Sequence, residues 1–254
     1  ESLHQLGLLH FLTDRDPVAE PFSEAASLYA TNGEYESAAR VYAQLSVMRS
    51  ENDEFEAAAD TIDHIESLDG SIEDESTRAL ISAAKALLKA HNGDVTDAIS
   101  LLEESTIANA DEMDKSIFGS VQLILAYHAI EAGNYETTID LAESAKELAE
   151  ETKTKRPKAS AEQIISSALL RLNRGEEAKE HLEAAVECFK EIDDKGSTVD
   201  SLRQLANIQM IDGEFGPAIS TIERGLSLLD ENATIEQVEL QLKMADVYAV
   251  SGDT

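Results

Sequence analysis

Few side chains in this chain of 254 residues are placed for covalent or metal chemistry. The lone cysteine, Cys188, stands three residues after Ala185 in a helical stretch, where a small apolar thiol packed inward fits better than a nucleophile. His181 follows Glu177 by one helical turn and His64 follows Asp60 in the same way. Ion pairs along one helix face account for both, because a zinc site needs a third ligand at supporting spacing. His4, His10, His91 and His128 form no cluster in sequence. The acidic stretch DDKGSTVD from Asp193 lacks the spacing of a calcium loop, since Gly196 comes too early and the closing glutamate is missing. No phosphate loop, dinucleotide fingerprint, nucleophile elbow or zinc signature is present. The residues therefore predict no catalytic group, no metal and no cofactor.

Chemistry of binding is better represented. KTKRPK gathers Lys153, Lys155, Arg156 and Lys158 in one short stretch, with Arg171 and Arg174 at the far end of the next helical segment. Such a basic patch could receive an acidic segment or a phosphate; a polar link in which Pro157 starts a helix explains it equally well. The remainder of the chain is acidic, with 51 acidic against 20 basic residues and a net charge of −31. That charge repels phosphate backbones and anionic lipid, so neither nucleic acid nor membrane is expected as a partner. The longest apolar runs, such as Leu6 to Leu12, fall far short of the roughly 20 residues that span a bilayer. One cysteine allows no intrachain disulfide, which favours a reducing, cytoplasmic setting and leaves the sequon at Asn232 without meaning.

The elements that position these groups are helices. Four prolines, no tryptophan and an abundance of Ala, Leu, Glu, Ser and Ile favour helix over strand, and 5% aromatic content means that small residues do much of the packing. AGNYETTIDLA, beginning at Ala132, has near copies elsewhere in the chain. Asp53, Gly93, Gly133, Asn173 and Gly213 mark the same joint at intervals of 40 residues. Seven residues before each mark stand Ser46, Ala86, Ala126, Ser166 and Ala206; five after stand Ala58, Ala98, Thr138, Ala178 and Ala218. A small residue on each helix lets two backbones approach closely, with larger side chains filling the space around the crossing. Each joint is thus the corner of an antiparallel helix pair, with a left-handed residue ending the first helix. Helices are expected at 2–12, 20–31, 34–49, 54–68, 73–91, 94–105, 113–131, 134–151, 156–172, 175–192, 197–211, 214–229 and 235–250. Gly33 also resembles a joint but lies half a period ahead of Asp53, outside this frame.

From about Arg40 to Gly252 the pattern resembles the tetratricopeptide repeat, most closely in LILAYHAIEAGNYETTIDLAESA from Leu123 to Ala145. The period of 40 departs from the 34 of that family. The resemblance implies an all-α, right-handed α-solenoid, read here as a single domain over 1–254 that forms part of a longer chain. It further implies a non-enzymatic scaffold that binds a peptide or helical segment of another protein in a concave groove lined by first helices. Mapped onto this sequence, the groove includes Arg40, Val47, Leu87, Ser120, Leu123, Tyr127, Gln163, Ser167, Arg203 and Asn207, with Asp200 at a further groove position. Arg203 and Asn207 fall where some relatives hold a peptide carboxylate, but the other positions of that clamp do not match. First helices are close to charge balance and second helices strongly acidic, so the acidity is expected on the outside. A second reading is a regulatory or sensor arm of a larger signalling protein carrying a protease, kinase or transcription regulator. A third, from the stretch Pro21 to Met48, is an adaptor like the attachment proteins of vesicle fusion. Tyr248, Val247 and Met244 are expected to lack a hairpin partner, and self-association through this unfinished last repeat is a further expectation.

Overall fold

The computed structural model describes residues 19–68, 70, 72–104, 111–229, 241 and 243–247, and excludes the side chains of 112 and 113. The helices are α1 Ala19–Thr31, α2 Tyr35–Glu51, α3 Phe55–Glu66, α4 Glu75–His91, α5 Val95–Glu103, α6 Glu112–Glu131, α7 Tyr135–Glu151, α8 Lys155–Arg171, α9 Gly175–Glu191, α10 Lys195–Ile211 and α11 Phe215–Leu228. Each falls on its expected segment, and no strand occurs among the described residues. The helix expected at 2–12 lies outside the described residues; of 235–250, positions 241 and 243–247 are described and helical.

All five marked joints hold left-handed residues, yet Gly33, Lys153 and Asp193 do so as well. The five marks stand as joints 40 residues apart, and from residue 133 to residue 213 a like turn also falls midway between them, so that turns recur there every 20 residues. Helices α7, α8, α9 and α10 each have 17 residues, and a short turn of the same type follows every one. From α7 to α11 the link inside a helix pair and the link between pairs are consequently the same structure. Its geometry satisfies the carbonyls that a helix end leaves open: the N–H after the left-handed residue returns to a carbonyl five positions back. Examples are Glu54 to Arg49 at 2.8 Å, Thr154 to Ala149 at 2.9 Å and Glu214 to Gln209 at 2.7 Å. The same donor residue opens the next helix, its carbonyl accepting the first helical bond, as Glu54 does from Ala58 at 2.9 Å.

The chain divides into two compact units, Glu1–Ala132 and Gly133–Thr254. In the first, α2 packs against α1, α3 and α4, while α4 packs against α5 and α6. Helix α6 also reaches back to α2, so three first helices, α2, α4 and α6, meet one another. In the second unit α7, α8, α9, α10 and α11 each pack on their sequence neighbour.

Both small-residue columns are enclosed: Ser46, Ala86, Ala126, Ser166, Ala206, Ala58, Ala98, Thr138, Ala178 and Ala218 are all 0% exposed. Of the column hydroxyls, Ser46 Oγ donates across the crossing to the Ala58 carbonyl at 3.0 Å, whereas Thr138 Oγ1 donates back to the Asn134 carbonyl at 3.0 Å. Arg49 donates to the Ala57 carbonyl at 2.8 Å and to Thr61 Oγ1 at 2.5 Å, closing the other side of the α2–α3 corner. The α3–α4 link has no left-handed residue among those described; it depends on Gly70, where a Cβ would stand 2.8 Å from that of Tyr35. Val247, expected to lack a hairpin partner, is buried with Val199, Ala206, Ala218 and Ile222, and Met244 packs against the same cluster. Tyr248 lies outside the described residues.

Candidate functional site

The first unit does not present the surface that the groove positions lead one to expect. Val47 and Leu87 are core residues, 0% and 1% exposed, and so cannot meet a partner while the unit is packed in this way. Helices α2, α4 and α6 all pack on one another there. Arg40 forms ion pairs with Asp111 and with Asp114, the latter at 2.5 Å, and Gln44 Nε2 donates to Asp114 Oδ1 at 3.0 Å. Asp114 is fully buried, and burial holds its carboxyl above the usual range despite the neighbouring guanidinium. Asp111 supports it from the helix end, accepting the Asp114 N–H at 2.9 Å. Further along, Ser120 bonds to Glu51. Glu51 still reaches water, but protein crowds its carboxyl and pushes it up to about 7, with the Ser120 bond acting in the opposite direction. Arg40 is thus engaged within the protein. On the same helix as Ser120, Leu123 is half-buried and Tyr127 is 60% exposed, leaving a phenol ring open to solvent.

The second unit keeps its first-helix face open. Gln163 and Ser167 on α8, and Asp200, Arg203, Gln204 and Asn207 on α10, are all partly accessible. Asp200 organises them: it accepts from Gln163 Nε2 at 2.9 Å and Gln204 Nε2 at 2.8 Å, and it pairs with Arg203. Gln163 also donates to Ser201 Oγ at 3.3 Å, which ties α8 to α10. Ser167 Oγ donates to the Gln163 carbonyl at 3.0 Å and retains its own acceptor capacity. Asn207 Oδ1 is enclosed and has no donor. Because Asp200 already holds Arg203, that guanidinium meets a carboxylate before any ligand arrives, and a terminal-carboxylate clamp gains no support.

The basic patch is largely neutralised by its own neighbours. Lys155 pairs with Glu191 at 2.9 Å, Arg156 with Asp194 at 2.6 Å and Lys158 with Glu150 at 2.6 Å. These contacts brace α8 against α7, α9 and α10. Lys153 occupies the left-handed turn position and is exposed. The acidic stretch at Asp193 is a turn and helix cap: Asp194 Oδ1 accepts the Ser197 N–H at 3.1 Å. His181 pairs with Glu162 on α8 at 2.6 Å, whereas its expected partner Glu177 is held by Arg174. Glu162 also faces Lys146 of α7 at 3.8 Å, so one nearly buried carboxylate joins three helices. His64 Nδ1 lies 2.6 Å from the Asp60 carbonyl oxygen, a backbone contact in place of the expected pair with its carboxylate. Cys188 is half-buried against Ala159, Ala185 and Phe189, and burial pushes its thiol up, away from the reactive thiolate. Among the described residues no group of three His, Cys, Asp or Glu could hold a metal ion, and no helix is long and apolar enough to cross a membrane.

Gln44, Glu51 and Asp114 were not among the expected site residues. The Asp200–Arg203 spacing of one helical turn is visible in sequence; the Gln44–Asp114 bond, across 70 residues, leaves no local signal.

Neither a family model nor a curated relative matches the sequence. Solved structures match the fold. A signal-transduction ATPase with numerous domains and a tetratricopeptide repeat sensor, from Pyrococcus horikoshii, superposes with a TM-score of 0.76 at 15% identity over 99% of this chain. This chain spans only 39% of that protein. Aspartyl phosphate phosphatase F from Bacillus subtilis gives a TM-score of 0.59 at 14% identity, covering 95% of this chain and 65% of that one. PilF of Pseudomonas aeruginosa gives 0.57 at 16% identity, covering 85% and 90%. At these identities the likeness concerns the fold, which is that of tetratricopeptide-repeat-like helical solenoids.

Proposed function

We propose that the chain is a non-enzymatic protein-interaction domain whose second unit holds a segment of another protein against the α8–α10 face. The observation that carries this reading is the accessible row of Gln163, Ser167, Arg203 and Asn207 on two adjoining helices. Ser167 Oγ, which keeps acceptor capacity on this face, would take a backbone or side-chain N–H of a bound segment. Asp200 keeps Gln163 and Arg203 oriented for that contact. Nothing on this face favours nucleic acid or lipid, and the net charge of −31 opposes both.

A second reading, a sensor arm within a larger signalling protein, draws on one observation. The chain aligns almost end to end with a protein described by its tetratricopeptide repeat sensor, of which it covers 39%. The two readings share the same face and differ in what binding controls. The attachment-protein reading needs basic surface residues, and Lys155, Arg156 and Lys158 are already paired with acids.

The test is affinity capture from the source cell with the intact protein, comparing wild type with Gln163→Ala combined with Asn207→Ala. A partner lost from the double variant and retained by Tyr127→Glu supports the α8–α10 face. A partner retained by the double variant, which keeps wild-type helicity and melting, overturns it. An effector domain found in the intact gene product, responding to that partner, would select the sensor reading.

A further inference from the structure

We infer that α6 is a latch: it closes over the α2 face of the first unit through a polar seam, and that seam can open while the rest of the unit stays folded. Arg40, Gln44, Val47 and Glu51 follow one another at helical intervals of four, three and four residues, so they form one stripe on α2. Three of the four touch α6: Arg40 through Asp111 and Asp114, Gln44 through Asp114, and Glu51 through Ser120. Val47 lies between Gln44 and Glu51 on that stripe and is 0% exposed, on a helix that packs against both α4 and α6.

The seam differs in kind from the contacts that hold α2 elsewhere. Toward α3 the join is made by enclosed small residues and the Ser46 bond, and toward α4 by a unit core rich in buried Ala and Leu. Apolar burial of that sort is lost on separation without replacement by water. A desolvated ion pair behaves differently: the cost of removing its charges from water offsets most of their attraction, so exchanging the pair for hydration is close to neutral. Asp114 shows this stress directly, since burial keeps its carboxyl above the usual range even beside Arg40. Opening would return Asp114 and Arg40 to water and uncover Val47, a position that the repeat pattern assigns to a groove. The latch rests on the first unit alone and is independent of the α8–α10 reading.

The experiment measures how fast a thiol at position 47 reacts. In a Cys188→Ser background, Val47→Cys is treated with Ellman's reagent, alone and together with Asp114→Asn or Arg40→Met. The expected result is slow modification with the seam intact and at least a tenfold faster rate with either seam variant, at unchanged helicity and melting temperature. Equal rates in all three proteins would overturn the proposal. So would a faster rate accompanied by an equal loss of thermal stability, which would make the seam an ordinary part of the core. If Val47→Cys does not fold, amide exchange across residues 44–48 in the otherwise native protein gives the same comparison, with the same two outcomes against the latch.

Discussion

The two units are made from one helix-and-turn pattern and hold themselves together differently. In the first, α2, α4 and α6 meet, and Val47, Leu80, Ala83 and Leu87 fill the space between elements. In the second, helices of 17 residues follow one another at even steps, and ion pairs such as Arg156–Asp194 and Lys179–Asp212, at 2.6 and 2.7 Å, link them. The difference teaches that a repeat does not fix the surface it presents. In the first unit the first helices close on one another, whereas the second unit, with its uniform turns, keeps the α8–α10 row accessible.

The sharpest way to break this comparison is Leu80→Ala. Leu80 is 0% exposed on the central α4, so its truncation should cost about 2–5 kcal/mol, with amide exchange rising through α2, α4 and α6. An effect confined to α4 would contradict the joint packing of those helices. Next in size is Ala206→Leu, at a crossing where Ala206 and Ala218 are both fully enclosed; it should cost about 1–3 kcal/mol in denaturant unfolding. Unchanged stability would show the crossing to be looser than its burial implies. A smaller effect, about 1 kcal/mol at neutral pH, is expected from Asp74→Ala, which removes the cap that accepts the Thr77 N–H at 2.6 Å. That bond holds the Asp74 carboxyl below its ordinary range, so its contribution is present above the unfolded carboxylate value and fades as pH falls through the lower folded value. The variant and wild type should therefore converge in stability on acidification. The smallest effect is Lys153→Gly, which should stabilise the second unit by up to about 1 kcal/mol, because a lysine held at φ 57° bears a strain that glycine lacks. A loss of stability there would mean that Lys153 makes contacts worth more than the strain.

Much of the fold was legible before any coordinates. Each described helix stands on its expected segment, and both small columns are enclosed, because close helix crossings require small residues wherever they occur and so write a periodic signal. The 40-residue frame was legible too, but the turns midway between its marks were not: Lys153 and Asp193 perform the glycine's task without being glycine, and residue type alone conceals a left-handed backbone. Of the expected groove, Ser120, Leu123, Tyr127, Gln163, Ser167, Arg203 and Asn207 retain access to solvent, while Val47 and Leu87 do not.

The sequence by itself determined where helices begin and end, which residues lie at their crossings and that the acidic side chains crowd the second helices, since all three follow from local spacing and charge. Only the tertiary structure decided which face of a first helix stays open. That outcome depends on contacts such as Arg40 with Asp114 and Gln163 with Asp200, made between helices far apart in the chain, where no local pattern records who meets whom.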